Sequence, residues 1–216
     1  PSWTLQARTG TNGGRVSVKS IKIINDHIYL GGIFTHFQGN GASWTYARNG
    51  ARLDINGKPD RSWNPEFNGS VIDIDVDENE AYYYAAGYFT RAHDRVVENA
   101  GRLSTAAGAE LDQSWTFRHS YLIGKYQQTV TAANGRVYFG GSQHSLFGYN
   151  SDTMTRTSGS ITMYNGGDLQ ASTRSATGVV YASCHCSDYA FQDAYQYLTL
   201  GTTWTRADEI QWVGGW

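Results

Sequence analysis

Apolar positions along this chain alternate with polar ones at a period of two, and glycine, asparagine or aspartate breaks the alternation every few residues. That rhythm predicts half-buried β-strands joined by tight turns, and no segment shows the spacing of an amphipathic helix. "SIKIINDHIYLGG", "QTVTAANGRVYFGG" and "STRSATGVVYASC" each read as a strand, a two-residue turn and a second strand. The turns fall at Asn25-Asp26, Asn134-Gly135 and Thr177-Gly178. Asn-Gly suits such a turn because the type I′ geometry requires positive φ at both central residues. "ARLDINGKPDRSW" and "GRLSTAAGAELDQSW" then predict another strand, a glycine turn at Gly57 or Gly108, and a last strand running into tryptophan.

The pattern repeats. Tyr29, Tyr84, Tyr138 and Tyr181 each sit in an apolar strand at intervals of roughly 50 residues, and in the first and third of these strands a Gly-Gly pair closes the run. Trp3, Trp63 and Trp115 form a second landmark in the same phase. The marks divide the chain into approximate units 14–67, 68–127, 128–173 and 174–216. Four-stranded antiparallel sheets at this period predict an all-β fold, a β-propeller of about four blades. Gly31, Gly32, Gly140 and Gly141 are then expected in tightly packed strands that hold no anion, because no helix follows to present amides to a phosphate. The repeated Tyr29, Tyr84, Tyr138, Trp63 and Trp115 are expected between blades.

The stretch "IYLGGIFTHFQGNG…ARLDINGKPDRSWNPEFNGSV" resembles the glycine-rich delta-sixty propeller repeats of secreted bacterial proteins. Their units run apolar-Tyr-apolar-Gly-Gly-x-Phe-Thr, then Ala-Arg-Leu, then Leu-Asp-x-x-Trp-x-Pro. The second unit retains Gly87, Phe89, Thr90, Arg102, Leu103, Asp112 and Trp115; the third keeps little beyond Gly140 and Gly141, and the fourth has Ser183 and Cys184 in their place. Kelch repeats are the nearest confusable class. The resemblance implies an exported or surface protein, with adhesive or carbohydrate-binding modules as frequent neighbours and no catalytic residues to carry over.

Charge and composition narrow the classes further. With 17 basic and 19 acidic residues the net charge is -2, so there is no basic field for nucleic acid. The apolar runs are too short to span a bilayer. His93 and His144 occupy comparable loops beyond the glycine strands, with His36 at a similar offset, and these loops are candidates to converge on one face. Asp73, Asp75 and Asp77 in "VIDIDVDENE" would share a strand face, where calcium and a solvated polar face are the two readings. An EF-hand fails, since Glu78 stands where glycine is required. Cys184 and Cys186 in "SCHCSD" share a strand face too and are expected to be disulfide-bonded or adjacent thiols without a metal.

No nucleophile elbow or zinc motif is present, although propellers support hydrolases and lyases built from dispersed residues. The expected function is therefore a noncatalytic extracellular or cell-surface binding module for carbohydrate or protein, with Trp44 and Tyr46 in "THFQGNGASWTY" placed to stack on a ligand. A virion tail or receptor-binding component and a propeller hydrolase or lyase are the alternatives. Trp3 shares the phase of unit-closing tryptophans, and "ADEIQWVGGW" ends on a strand and glycine turn. Further blades, from the parent polypeptide or from partner chains, are thus expected on both sides, and the isolated chain is expected to associate or unfold.

Overall fold

The structure, a computed structural model, describes residues 4–10, 14–118, 125–143, 145–157, 161–162, 168–176, 178, 180–184 and 210–215. Every regular element among them is a β-strand, and none of their segments is a helix long and apolar enough to cross a membrane. The chain divides into two compact units, Pro1–Phe117 and Arg118–Trp216.

The first unit is built on two three-stranded antiparallel sheets. One contains β2 (Ser17–Ile24), β3 (His27–Ile33) and β6 (Gly50–Asp54); the other contains β7 (Val71–Val76), β8 (Tyr82–Gly87) and β11 (Ala100–Ser104). Between the second and third strand of each sheet the chain makes a small hairpin: β4 (His36–Gly39) with β5 (Thr45–Tyr46), and β9 (Arg91–Ala92) with β10 (Arg95–Val96). β1 (Leu5–Arg8) adds to β4. In the second unit β12 (Gln127–Ala133), β13 (Arg136–Gly141), β14 (Ser145–Asn150) and β15 (Ile161–Thr162) form a four-stranded sheet. β16 (Leu169–Arg174) and β17 (Val180–Cys184) pair antiparallel, and β18 (Ile210–Gly215) joins β17 in parallel.

Four strands per sheet were expected, and both main sheets of the first unit fall short for a local reason. The fourth strand is reduced to one bridge in each sheet, Leu53 to Pro59 and Leu103 to Leu111. The following aspartate then folds the chain away: the Asp60 carboxylate accepts the backbone N–H and hydroxyl of Ser62, and Asp112 does the same for Ser114. Such Asx turns end a ladder by offering the backbone a competing acceptor. The parallel β17–β18 pair also departs from the all-antiparallel expectation. Of the predicted turns, Asn134-Gly135 has positive φ at both residues, whereas at Asn25-Asp26 only Asn25 does.

The glycine pairs have a steric cause common to both units. The first strand of each main sheet carries a bulge, where the register slips between Val18 and Ser20, Val71 and Asp73, Gln127 and Thr129, and Leu169 and Ala171. The bulge pushes a carbonyl toward the strand opposite. A Cβ at Gly32 would lie 2.1 Å from the Ser17 oxygen, at Gly87 2.2 Å from that of Ser70, and at Gly141 2.6 Å from that of Tyr126. The glycine before it faces the neighbouring sheet: a Cβ at Gly31 would lie 2.6 Å from Ile74 Cγ2, and at Gly140 2.6 Å from Leu169 Cβ.

In the first unit the two sheets enclose a core of Tyr29, Trp63, Phe67, Val71, Ile74, Val76, Tyr83, Phe89 and Leu103. Trp63 is its hinge pin, with its ring 5.4 Å from Tyr29 of one sheet and 4.9 Å from Tyr83 of the other, and its indole N–H donates to the Ser104 carbonyl at 3.1 Å. Leu5 and Ala7 of β1 pack on a second cluster, Ile28, Leu30, Phe34, Phe37 and Leu53, on the far side of the first sheet.

Candidate functional site

Two grooves in the first unit are built on the same plan, each between a small hairpin and the segment that ends its sheet. The first, a cavity of about 560 Å³, is lined by His27, by Ala42, Ser43 and Thr45 of the β4–β5 hairpin, and by Asp54 and 58–62. The second, about 410 Å³, is lined by His93, Asp94 and Arg95 of the β9–β10 hairpin and by Glu110, Leu111 and Gln113.

Beneath both grooves lies one framework. Arg52 and Arg102 occupy equivalent positions, paired across the sheet with Tyr29 and Tyr84. The Arg52 Nε and Nη2 donate to Asp60 Oδ2 at 2.9 and 2.6 Å; Arg102 donates to Asp112 Oδ2 at the same two distances. Burial pushes the Asp60 carboxyl up, but the donors from Ser62 and Arg52 outweigh it and hold it below the usual carboxylate range. Asp112 is lowered in the same way, burial being outweighed by Ser114 and Arg102. These aspartates therefore stay ionised and fully engaged, and serve the fold.

On this framework the side chains that face the grooves differ. Lys58 and Glu110 are equivalent, since each carbonyl accepts the N–H of the residue ending the third strand, Asp54 or Ser104. Arg61 and Gln113 are equivalent too, one residue beyond the clamped aspartate. At these matched positions the first groove presents two cations where the second presents a carboxylate and an amide; their hairpins add Ser43 and Thr45 to the first, and His93, Asp94 and Arg95 to the second. Asp54 Oδ1 accepts the N–H groups of Asn56 and Lys58. His27 meets a neighbouring loop, its Nδ1 2.6 Å from Glu80 Oε1, an oxygen that also accepts the Tyr29 hydroxyl at 2.9 Å. Burial raises the Glu80 carboxyl, and the donors from Asn25, Tyr29 and His27 lower it further than burial raises it.

The residues singled out from sequence are dispersed. Trp44 lies between Ser43 and Thr45 in the chain, yet its half-buried ring carries the Arg8 guanidinium 4.3 Å from its centroid and does not line the groove. Tyr46 is 47% exposed, in edge contact with His36 at 5.4 Å. His93 does line a groove, with Nε2 3.2 Å from the Ala109 carbonyl. His144 and Cys186 lie outside the described residues, and with them the expected thiol pairing; Cys184 is placed only by its backbone, paired with Leu169 at the end of β17.

The aspartate triplet matches neither reading made of it. Asp73 accepts the Ser20 hydroxyl at 2.8 Å, Asp75 is buried against Lys22 Nζ at 2.5 Å, and Asp77 lies beyond the end of β7, accepting the Tyr82 N–H at 2.6 Å. Each carboxylate has gone to a different structural task, and the described residues contain no cluster of three potential metal ligands. Sequence reasoning missed the Arg–Asp clamps, although the recurring Arg-Leu and Asp-x-Ser-Trp pairs carried their signal.

The chain matches no protein-family model and no curated protein. It is similar to the computationally designed Ika4 protein at a TM-score of 0.46 and 8% identity, over 83% of this chain and 92% of that one. It is also similar to the WD40 repeats of RRP9 (TM-score 0.46, 9% identity, 82% of this chain) and to U3-55K (0.48, 8%, 82%), and spans about half of each, 52% and 50%.

Proposed function

We propose that the chain is a noncatalytic binding module, a propeller-type array of about four sheets whose ligand, a carbohydrate or a protein, is taken at the grooves beside the inserted hairpins. One observation carries this reading. The framework Arg–Asp–Ser is repeated while the groove-facing residues Lys58 and Glu110, and Arg61 and Gln113, are not, so the variation falls on the side chains that a ligand would meet. Ser43 and Thr45 offer hydroxyls and Lys58 and Arg61 offer donors, a set suited to a polyhydroxylated or acidic ligand. The carboxylates of the first groove support binding over hydrolysis, because Asp60 is tied to Arg52 and Ser62 and Asp54 caps its own turn. The setting we assign is extracellular or on a cell surface, by the resemblance of the first two units to the delta-sixty repeats of exported proteins.

The test is a glycan and protein array probed with the chain and with the Lys58→Glu, Arg61→Gln double variant, which gives the first groove the residues of the second. Binding that the double variant loses, with its melting temperature unchanged, supports the reading. Binding equal in both proteins removes the groove as the site.

A further inference from the structure

In both units, sheets meet in the same way, and one side of that meeting stands open on β2. The residues of β2–β3 that face the second sheet are Ser20, Lys22, Tyr29 and Gly31. Ser20 and Lys22 bond Asp73 and Asp75, Tyr29 joins the core between the sheets, and Gly31 leaves room for Ile74. In the second unit Thr129, Thr131 and Gly140 hold the same register positions on β12–β13 and face β16: both hydroxyls lie within 2.7 Å of Ser172 Oγ, and Gly140 leaves room for Leu169. Each meeting therefore seats the alternate residues of one first strand against a neighbour that carries short or polar side chains and a glycine.

By register, Ile21 and Ile23 of β2 are the counterparts of Ile74 and Val76 of β7, since each pair opposes the same positions of the second strand. Ile74 and Val76 are 5% and 0% exposed; Ile21 and Ile23 are 58% and 59% exposed. The surroundings are otherwise matched. Pro65 and Asn68, on the linker entering the second sheet, hydrogen-bond the backbone of His93 and Arg91 in its hairpin, and β1 runs in the same way against β4 of the first. Phe67 of that linker and Ala7 of β1 both pack on the core of their sheet. What differs is the sheet that covers Ile74 and Val76; among the described residues none covers Ile21 and Ile23 in that way.

The complementary surface is also present in this chain. On β16–β17, Ala171, Thr173 and Tyr181 take the register positions of Ser20, Lys22 and Tyr29, and of Thr129, Thr131 and Tyr138. Ala171 and Thr173 are exposed and Tyr181 is half-buried. We infer that two copies of the chain associate head to tail, the Ile21/Ile23 face of one copy seated on the Ala171/Thr173/Tyr181 face of the other. A heterologous contact of this kind closes a ring or extends into a filament. It is independent of what the grooves bind.

The experiment is sedimentation of three proteins: the wild-type chain, an Ile21→Lys, Ile23→Lys variant, and an Ala171→Lys, Thr173→Lys variant, each checked for fold by circular dichroism. The wild type is expected to sediment above the monomer, and each variant alone as a monomer or as a species of reduced order. Mixed together, the two variants retain one intact face each and are expected to form a one-to-one pair. A monomeric wild type overturns the inference. So does association that survives both sets of substitutions, or a failure of the mixture to pair. If lysine prevents folding, Ile21→Thr with Ile23→Thr removes the apolar surface while keeping β-branched strand formers, and the same outcomes apply.

Discussion

Arg52, Asp60, Ser62 and Trp63 act as one device: the arginine grips the aspartate, the aspartate caps the turn at Ser62, and the turn delivers Trp63 between Tyr29 and Tyr83. Asp60→Asn leaves the buried Arg52 with a neutral partner, and is expected to lower stability at neutral pH by about 2 kcal/mol, as for hydrogen bonds to charged groups. The pH dependence has a definite sign. Asp60, Asp112 and Glu80 all have depressed pKa values in the folded chain. Their stabilisation is complete above the unfolded carboxylate values of about 4 and is lost as the pH falls through the lower folded values. Urea unfolding at pH 7 and at successively lower pH should show the wild type weakening through the acid range. Asp60→Asn with Asp112→Asn should start lower and fall less steeply, and parallel slopes for the two proteins would count against the clamps as the acid-sensitive element.

At the scale of the strand, the bulge and the glycine opposite form a single unit. Gly32→Ala places a methyl against the Ser17 carbonyl, which is backbone and cannot swing aside, and is expected to cost roughly 2 kcal/mol or more. At Gly41, where φ is +73° and a Cβ would meet nothing within 4 Å, alanine bears only the left-handed backbone penalty and should cost about 1 kcal/mol. Comparing their chemical-denaturation midpoints tests the bulge; equal losses would remove the steric account. The third main sheet carries a second element-level substitution. Gln127 and Gln143, both fully buried, exchange amide hydrogen bonds of 2.7 and 3.0 Å at the positions held by Val71 and Phe89 in the second sheet. Gln143→Phe alone removes both bonds between the Gln127 and Gln143 amides while keeping Gln127 buried, and is expected to cost about 1–3 kcal/mol, whereas Gln127→Val with Gln143→Phe removes both amides and should recover most of the loss. A double-mutant cycle in which the two losses simply add would show that the pair is not coupled.

For the whole molecule, the head-to-tail contact ties stability to concentration. Burying Ile21 and Ile23 only in the associated state stabilises the fold by mass action, so the thermal midpoint should rise as the protein is concentrated. A midpoint that rises with concentration as steeply in Ile21→Lys, Ile23→Lys as in the wild type would place the contact on some other surface. The same midpoint measured for Ile21→Lys, Ile23→Lys should be independent of concentration.

The all-β class, the repeat, the turns at Asn25-Asp26 and Asn134-Gly135 and the tight environment of Gly31, Gly32, Gly140 and Gly141 are all legible in the residue order. These follow from preferences between near neighbours: period-two burial along one strand, positive φ at Asn134-Gly135, and residues without a Cβ recurring in phase. How Trp44 and Asp75 are used depends on packing between distant parts of the chain. Sequence places Trp44 in a hairpin loop, and the packing sets the Arg8 guanidinium of β1 against its ring. By alternation Asp75 belongs with Asp73 and Asp77, but Lys22, across a sheet-to-sheet contact, pairs with its charge. The small hairpins that wall the grooves and the clamp of Arg52 on Asp60 were hidden for the same reason. They depend on which residues meet across strands and sheets, and sequence periodicity reports the face a side chain occupies, while the approach of neighbouring sheets selects its partner.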